Sequence, residues 1–291
     1  MSHNAQYSVP DPEWATIVAA TPEDAHELTA DDPEALRATI REVFIGPGKR
    51  HLEPQLPEAN TYSVETSNVP HADGTMSRIR VISPLPKSVE SPVGCIVWIH
   101  GGAFVGGNFE FDDYRIFPIS HHDAYDGIKW IADNARDHGI DLTRGFILGG
   151  SSAGGNIAAS LAHRVQNDAF FEGRRLTGSI LVVPPVIHPH GYPAEFRDEL
   201  QSINMPEGSQ WTVWDRRMTI EMFGTVSVLP PTYLLIAGLD VLRDEGILYE
   251  RLIREAGVKT RLTILHLSAS KKFEQDLQDG VAWLLSLQEP K

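Results

Sequence analysis

A serine flanked by small residues, Gly149-Gly150-Ser151-Ser152-Ala153-Gly154-Gly155-Asn156, follows the apolar run Phe146 to Gly149 and precedes an alanine-rich stretch from Gly155 to Val165. Strand, G-x-S-x-G pentapeptide and helix in that succession leave the chain few options. So tight a turn holds its central residue in a strained backbone conformation and admits only small neighbours, here Gly150, Ala153 and Gly154. It also lifts the hydroxyl of Ser152 above the sheet, at the positive end of the following helix, so Ser152 is a candidate nucleophile. A plain Gly-Ser loop is the competing reading, and the strand before and helix after argue against it.

Around this turn the chain alternates between two periods. Thr61 to Val69 and Arg78 to Ile82 are short β-type runs separated by His71-Ala72-Asp73-Gly74, whose Asp-Gly pair signals a hairpin. Apolar runs at Val93 to His100, Phe146 to Gly149, Ser179 to Val183, Thr232 to Ala237 and Arg261 to Leu265 then alternate with helical stretches. Tyr125, Ile128, Ile131 and Ala135 mark one helix face ending near Gly139; Leu248, Leu252 and Ile253 mark another ending at Gly257. A last helix runs from about Phe273 to Leu287, with Leu277, Val281, Leu284 and Leu285 on its buried side. The pattern predicts an α/β architecture, a mainly parallel sheet covered by helices on both faces. Residues 1 to 60 read as helices, opened by the capped start Thr21-Pro22-Glu23-Asp24, that need another surface to pack on.

Composition narrows the function classes. In 291 residues there are 25 Lys and Arg against 39 Asp and Glu, a formal charge of −14, with no basic cluster. Nucleic acid and anionic membrane are therefore poor partners. With 42% hydrophobic and 22% charged residues the chain can bury a core and is not disordered. No run of about 18 apolar residues encodes a membrane span, and the start Met-Ser-His-Asn-Ala-Gln lacks signal-peptide character. The single cysteine, Cys95, cannot form an internal disulfide; it reads as a small buried hydrophobe and suits a reducing, cytoplasmic setting. Two histidine groups, His121-His122-Asp123 and His188-Pro189-His190, lack a third ligand at a metal-binding spacing.

A nucleophilic serine needs an oxyanion site, a base and an acid to orient the base. At the end of the Val93 to His100 strand, Gly101-Gly102 can turn backbone N–H groups toward developing negative charge, joined by the N–H of Ala153. His100 reads as an anchor of that loop. On such a scaffold the acid follows the serine and the histidine follows the acid. Asp240 is the first carboxylate beyond the strand Leu234-Leu235-Ile236-Ala237-Gly238, and Asp244, one turn later, reads as a helix cap.

Taken together, His100-Gly101-Gly102-Ala103, Gly150-Ser151-Ser152-Ala153-Gly154-Gly155-Asn156 and Pro230-Pro231-Thr232-Tyr233 leading into Asp240-Val241-Leu242-Arg243-Asp244-Glu245-Gly246 resemble the hormone-sensitive-lipase branch of α/β-hydrolase carboxylesterases. The resemblance covers about residues 60 to 291 and is closest in style to fungal secondary-metabolism esterases. It implies an α/β-hydrolase core over 61–291, with a helical cap formed by 1–60 and by an insertion at 188–228. It further implies hydrolysis of a small apolar ester, such as an acetate, through an acyl-enzyme, with no metal or organic cofactor. The catalytic set carried over is Ser152, Asp240 and His266, with Gly101, Gly102 and Ala153 as oxyanion hole. Trp211, Trp214, Phe223 and Tyr233, in or near that insertion, would either line the lid or serve in ordinary packing.

The chain departs from the family pattern in three places. His266, the only histidine after Asp240, lies directly after the last strand in Leu265-His266-Leu267-Ser268, without the Pro-Gly and His-Gly-Phe of the family loop. It is either the working base or a structural histidine. Between His100 and Phe146 no apolar run stands where the family has a further parallel strand, and Met222-Phe223-Gly224-Thr225 passes directly into the approach to the acid strand. Loss of a central strand would leave two sheet edges with unpaired backbone groups. These departures leave open a second class, a hydrolase-fold protein without turnover that binds a small ligand.

Overall fold

Five of the apolar runs pair side by side. A computed structural model describes residues 4–8, 12, 38, 53–86, 91–104, 119–187, 191–202, 228–265 and 270–288. The strands β3 (Cys95–Ile99), β4 (Phe146–Ser151), β5 (Gly178–Val182), β6 (Thr232–Ala237) and β7 (Thr260–Leu265) form one parallel sheet in chain order. Every crossover therefore advances in the same direction, and right-handed crossovers put the intervening helices on one face. Those helices are α1 (Ile119–Asn134), α2 (Ala153–Asn167) and α3 (Arg243–Glu255). Their apolar stripes join Leu148, Leu181 and Leu234 in one core cluster. The final helix, α4 (Ser270–Ser286), covers the other face, where Leu284 packs with Ile147, Ile180, Tyr233 and Leu235.

The expected helix faces are present, with one exception. Tyr125, Ile128, Ile131 and Ala135 are all buried, as are Leu248 and Ile253. Leu285 is not on the buried side of α4: it is 39% exposed while Leu284 is fully buried. One residue is about 100° on a helix, which turns Leu285 off the stripe formed by Leu277, Val281 and Leu284. Of the two readings of Tyr233, packing holds: it is fully buried in β6, with its hydroxyl donating to Thr263 Oγ1 at 3.0 Å. Trp211, Trp214 and Phe223 lie outside the described residues, as does most of the expected cap: in 1–60 the described elements are short 3-10 turns at Ala5–Ser8 and Glu53–Gln55.

The break upstream of Phe146 has a structural counterpart. β1 (Tyr62–Pro70) and β2 (Met76–Pro84) form the expected antiparallel hairpin, turned at Gly74 with φ 82°, but the hairpin is a separate two-stranded sheet. Its turn is fixed to α1 by His71, whose Nδ1 lies 2.9 Å from Asp126 and Nε2 3.6 Å from Asp123. Among the described residues β3 is thus an edge strand of the main sheet. Cover on both faces, expected of most of the strands, is incomplete at β3. Cys95, Val97 and Ile99 pack on the α2 side, whereas Ile96 and Trp98 are 45% and 43% exposed. They point to the α4 face, where α4 packs mainly against β5, β6 and β7. Cys95 is half-buried rather than buried, and its surroundings push the thiol up to about 11, so it stays protonated. Between β2 and β3 lies a cavity of about 660 Å³ walled by Ile79, Val81, Val97, Ile99, Phe104 and Ile131.

The register of α4 can be checked directly. Leu284→Ala should cost about 2–5 kcal/mol, the range for emptying a buried leucine site, and Leu285→Ala less than about 1 kcal/mol, both read from urea unfolding midpoints at constant slope. Equal costs would mean the helix is rotated from the orientation described.

Candidate active site

Ser152 sits between β4 and α2 with φ 52° and ψ −123°, a left-handed conformation that costs a non-glycine residue on the order of 1–3 kcal/mol. Two backbone hydrogen bonds and the start of a helix hold it there. Its N–H donates to the Val182 carbonyl at 2.8 Å, its carbonyl accepts from Asn156 N at 3.1 Å, and α2 begins at the next residue. The small flanking residues are required by contact. A Cβ on Gly154 would lie 2.1 Å from the carbonyl oxygen of Ile99 and 2.4 Å from that of His100, and one on Gly150 2.3 Å from the carbonyl of Gly154. The end of β3 and the serine turn, some fifty residues apart in the chain, therefore pack backbone against backbone.

That contact brings the second motif to the first. A Cβ on Gly101 would be 3.4 Å from Ser152 Cβ, so the Gly101 backbone runs beside the serine. Gly102 follows at φ 147°, then Ala103 and Phe104 at 52° and 62°. Consecutive positive φ values are costly in two non-glycine residues and mark a loop held by its surroundings; Phe104 is buried in the main core cluster. His100 bonds within this loop, Nδ1 to the Gly101 carbonyl at 2.8 Å. Ala153, first residue of α2, carries an N–H that has no acceptor within the helix. The cavity between β2 and β3 opens onto Gly101, Gly102 and Ala153.

Asp240 follows β6. Its Oδ1 accepts from Leu242 N at 2.8 Å, its carbonyl accepts from Arg243 N, and burial raises its carboxyl above the usual carboxylate range. β7 ends at Leu265, whose carbonyl accepts from Gly238 N at 2.8 Å, two residues before Asp240. His266 itself lies outside the described residues, as do His188 and His190.

The sequence reading missed three features. Asp244 is not a helix cap: α3 starts at Arg243 after Leu242, with no side-chain cap, and Asp244 instead accepts from the backbone N–H groups of Gln201 and Ser202 at 2.9 and 2.7 Å. Glu245, fully buried, accepts from Val186 N at 2.8 Å and Tyr192 OH at 3.1 Å; burial holds its carboxyl well above the ordinary range. His121, buried on α1, bonds the side chain of Asn156, whose amide donates to the Pro185 carbonyl at 2.6 Å; burial lowers His121 to about 4, so its ring is neutral. Asn156 and Glu245 both stood inside the motifs already singled out, and that was their only signal.

Comparison with known proteins agrees with this geometry. Residues 113–267 match the alpha/beta hydrolase fold family model. An AB hydrolase superfamily protein of Schizosaccharomyces pombe is 30% identical, with 95% of this chain and 94% of the relative covered. The chain belongs to the hormone-sensitive-lipase-like family of α/β hydrolases. Versiconal hemiacetal acetate esterase of Dothistroma septosporum is 24% identical over 76% of this chain and 82% of its own. The crystal structure of vibralactone cyclase superposes with TM-score 0.85 at 30% identity, covering 98% and 97% of the two chains. The alignment to the Schizosaccharomyces protein runs over 326 positions against 291 residues here, so at least 35 of its positions have no counterpart in this chain. Among the described residues no helix is long and apolar enough to cross a membrane.

The buried Asp240 carboxyl gives a signed expectation. A carboxyl whose folded pKa is raised favours the folded state while protonated, and that advantage is lost as pH rises through the folded value. Asp240→Asn cannot ionise, so it should match the parent near pH 4 and be at least as stable at pH 8, measured by urea unfolding at both values. A variant less stable at pH 8 than at pH 4, relative to the parent, would show that the ionised carboxylate is favourably paired.

Proposed function

We propose that the protein is a serine carboxylesterase acting on a small apolar ester, with Ser152 as nucleophile. The observation that carries this reading is the strained serine at the strand-to-helix turn, with the Gly101 backbone packed against it. In this reading Ser152 Oγ attacks the acyl carbon and passes its proton to His266. The N–H groups of Gly101, Gly102 and Ala153 receive the oxyanion as it forms, where preorganised donors lower the barrier most. Collapse expels the alcohol, which takes the proton from His266, and water then attacks the acyl-enzyme by the reverse proton path. Asp240 holds the histidine in orientation. Residues 1–60 and 188–228 form the cap over the ester.

Several features support the substrate class. The cavity beside Gly101, Gly102 and Ala153 has mostly apolar walls, and its volume falls within the roughly 300–1,000 Å³ of small-molecule sites. One relative is an acetate esterase by name. Another is a cyclase, so the acceptor that ends the acyl-enzyme is read from products, free acid for water and a ring for an internal hydroxyl.

Incubation with a serine-directed fluorophosphonate should label the parent and not Ser152→Ala. Hydrolysis of p-nitrophenyl acetate should fall to background in Ser152→Ala and by at least about a hundredfold in His266→Ala, the usual weight of a general base. Labelling that survives Ser152→Ala rejects the nucleophile. Unchanged turnover in His266→Ala, together with tight binding of an unreacted ester, would favour the ligand-binding class instead.

A further inference from the structure

Two consecutive carboxylates in the first turn of α3 do something the catalytic set does not use. Asp244 and Glu245 are 2% and 1% exposed, and neither faces solvent. Glu245 takes the start of the segment that leaves β5: Val186 N donates to its Oε1, Ile187 N also bonds the carboxyl, and Tyr192 OH donates to Oε2. Asp244 takes the far end of the same segment, with Gln201 N and Ser202 N both donating to Oδ2. Its other oxygen accepts from Asn4 Nδ2 at 3.0 Å, near the N-terminus, and from Arg243 Nε at 2.8 Å. Both ends of 186–202 and the N-terminal turn are thereby tied to one dipeptide.

The same knot holds the loop that carries Asp240. Arg243 Nη1 donates to the Gly238 carbonyl at 2.8 Å, and Ser202 Oγ donates to the Val241 carbonyl at 2.8 Å while accepting from Asp244 N. On the opposite side the Tyr7 carbonyl lies 2.7 Å from where a Cβ on Gly238 would stand. Residues 238 to 242 are therefore gripped from α3, from the 186–202 segment and from the N-terminal turn. A carboxyl group offers acceptors on two oxygens, whereas an amide of the same shape offers one and would turn its NH2 toward Arg243 Nε–H at Asp244 and toward the Tyr192 hydroxyl at Glu245. Buried polar groups persist where such partners surround them, and removing one partner is costly.

We propose that Asp244 and Glu245 are positioning residues for Asp240, a carboxylate clasp that fastens the 186–202 segment and the N-terminal turn onto the acid loop and so sets where the Asp240 carboxyl sits. The catalytic half rests on the esterase reading; the clasp itself does not. Glu245→Gln and Asp244→Asn, with Tyr192→Phe as a milder variant that removes one donor and keeps the carboxylate, supply the test. In Glu245→Gln the Val186 and Ile187 amides, and in Asp244→Asn those of Gln201 and Ser202, should exchange with solvent at least tenfold faster, while amides of β4 and β5 stay protected. For p-nitrophenyl acetate, kcat should fall about ten- to a hundredfold with KM within about twofold, the signature of misplaced catalytic groups rather than lost binding. Tyr192→Phe should move both readouts the same way by less. In an Asp240→Asn background Glu245→Gln should add no further loss, because both act through one carboxyl.

Faster exchange with kcat unchanged would reduce the pair to a structural tie and overturn the positioning role. Unchanged exchange would overturn the clasp. A parent that no fluorophosphonate labels would sink the esterase reading and the catalytic half with it, and the exchange measurement would still decide the clasp.

Discussion

The contact on which everything else rests is between two pieces of backbone. Gly154, in the first turn of α2, lies against the carbonyls of Ile99 and His100, closer than any side chain would permit. Because there is no Cβ at 154, β3 and β4 can end level with each other, and Gly101-Gly102 can lie alongside Ser152. The positive φ values of Ser152, Gly102, Ala103 and Phe104 all belong to this junction. Its strain is sustained by a parallel ladder beneath and by the buried ring of Phe104 beside it. Backbone strain collected at one place and supported by packing around it is the usual condition of a reactive site.

Next to this well-supported junction the sheet stops early. β3 has a parallel neighbour in β4 and none on its outer side among the described residues, and the β1–β2 hairpin stands across a cavity rather than in register with it. Two consequences follow from one geometry. The exposed Ile96 and Trp98 lie on the α4 face away from the strands that α4 mainly covers, and the apolar space between β2 and β3 extends to the glycine loop. A sheet edge of this kind is a liability for folding, yet it also supplies apolar volume beside Gly101, Gly102 and Ala153.

Much of the architecture was legible because it is written locally. The strand, small-residue turn and helix around Ser152 are consecutive, and steric exclusion at Gly150 and Gly154 acts between near neighbours and the adjoining strand end. The hairpin at Asp73-Gly74 and the stripe Tyr125, Ile128, Ile131 and Ala135 are equally local, since each depends on a period and a turn residue. Leu285 was misplaced and Tyr233 left open for different reasons. Leu285 lies one step off a helical stripe whose angle only packing defines. Tyr233 stands just after the expected cap insertion, and only its place in β6 shows that it is buried against α4.

Asp244 and Glu245 show most clearly what lay beyond reach. As letters they are two acids at the start of a helix, and the macrodipole makes capping their default reading. Apart from the neighbouring Arg243, their donors come from Asn4, Val186, Ile187, Tyr192, Gln201 and Ser202, separated from them by between 42 and 240 positions. No spacing rule links such residues. Sequence alone determined the alternation of strands and helices, the serine turn, the glycine loop and the acid that follows β6, because steric and periodic constraints act over a few residues. Tertiary structure decided that β3 is an edge, that a cavity adjoins the glycine loop, and that two buried carboxylates hold the acid loop, because these depend on which distant backbone groups are brought together out of water and must there find partners.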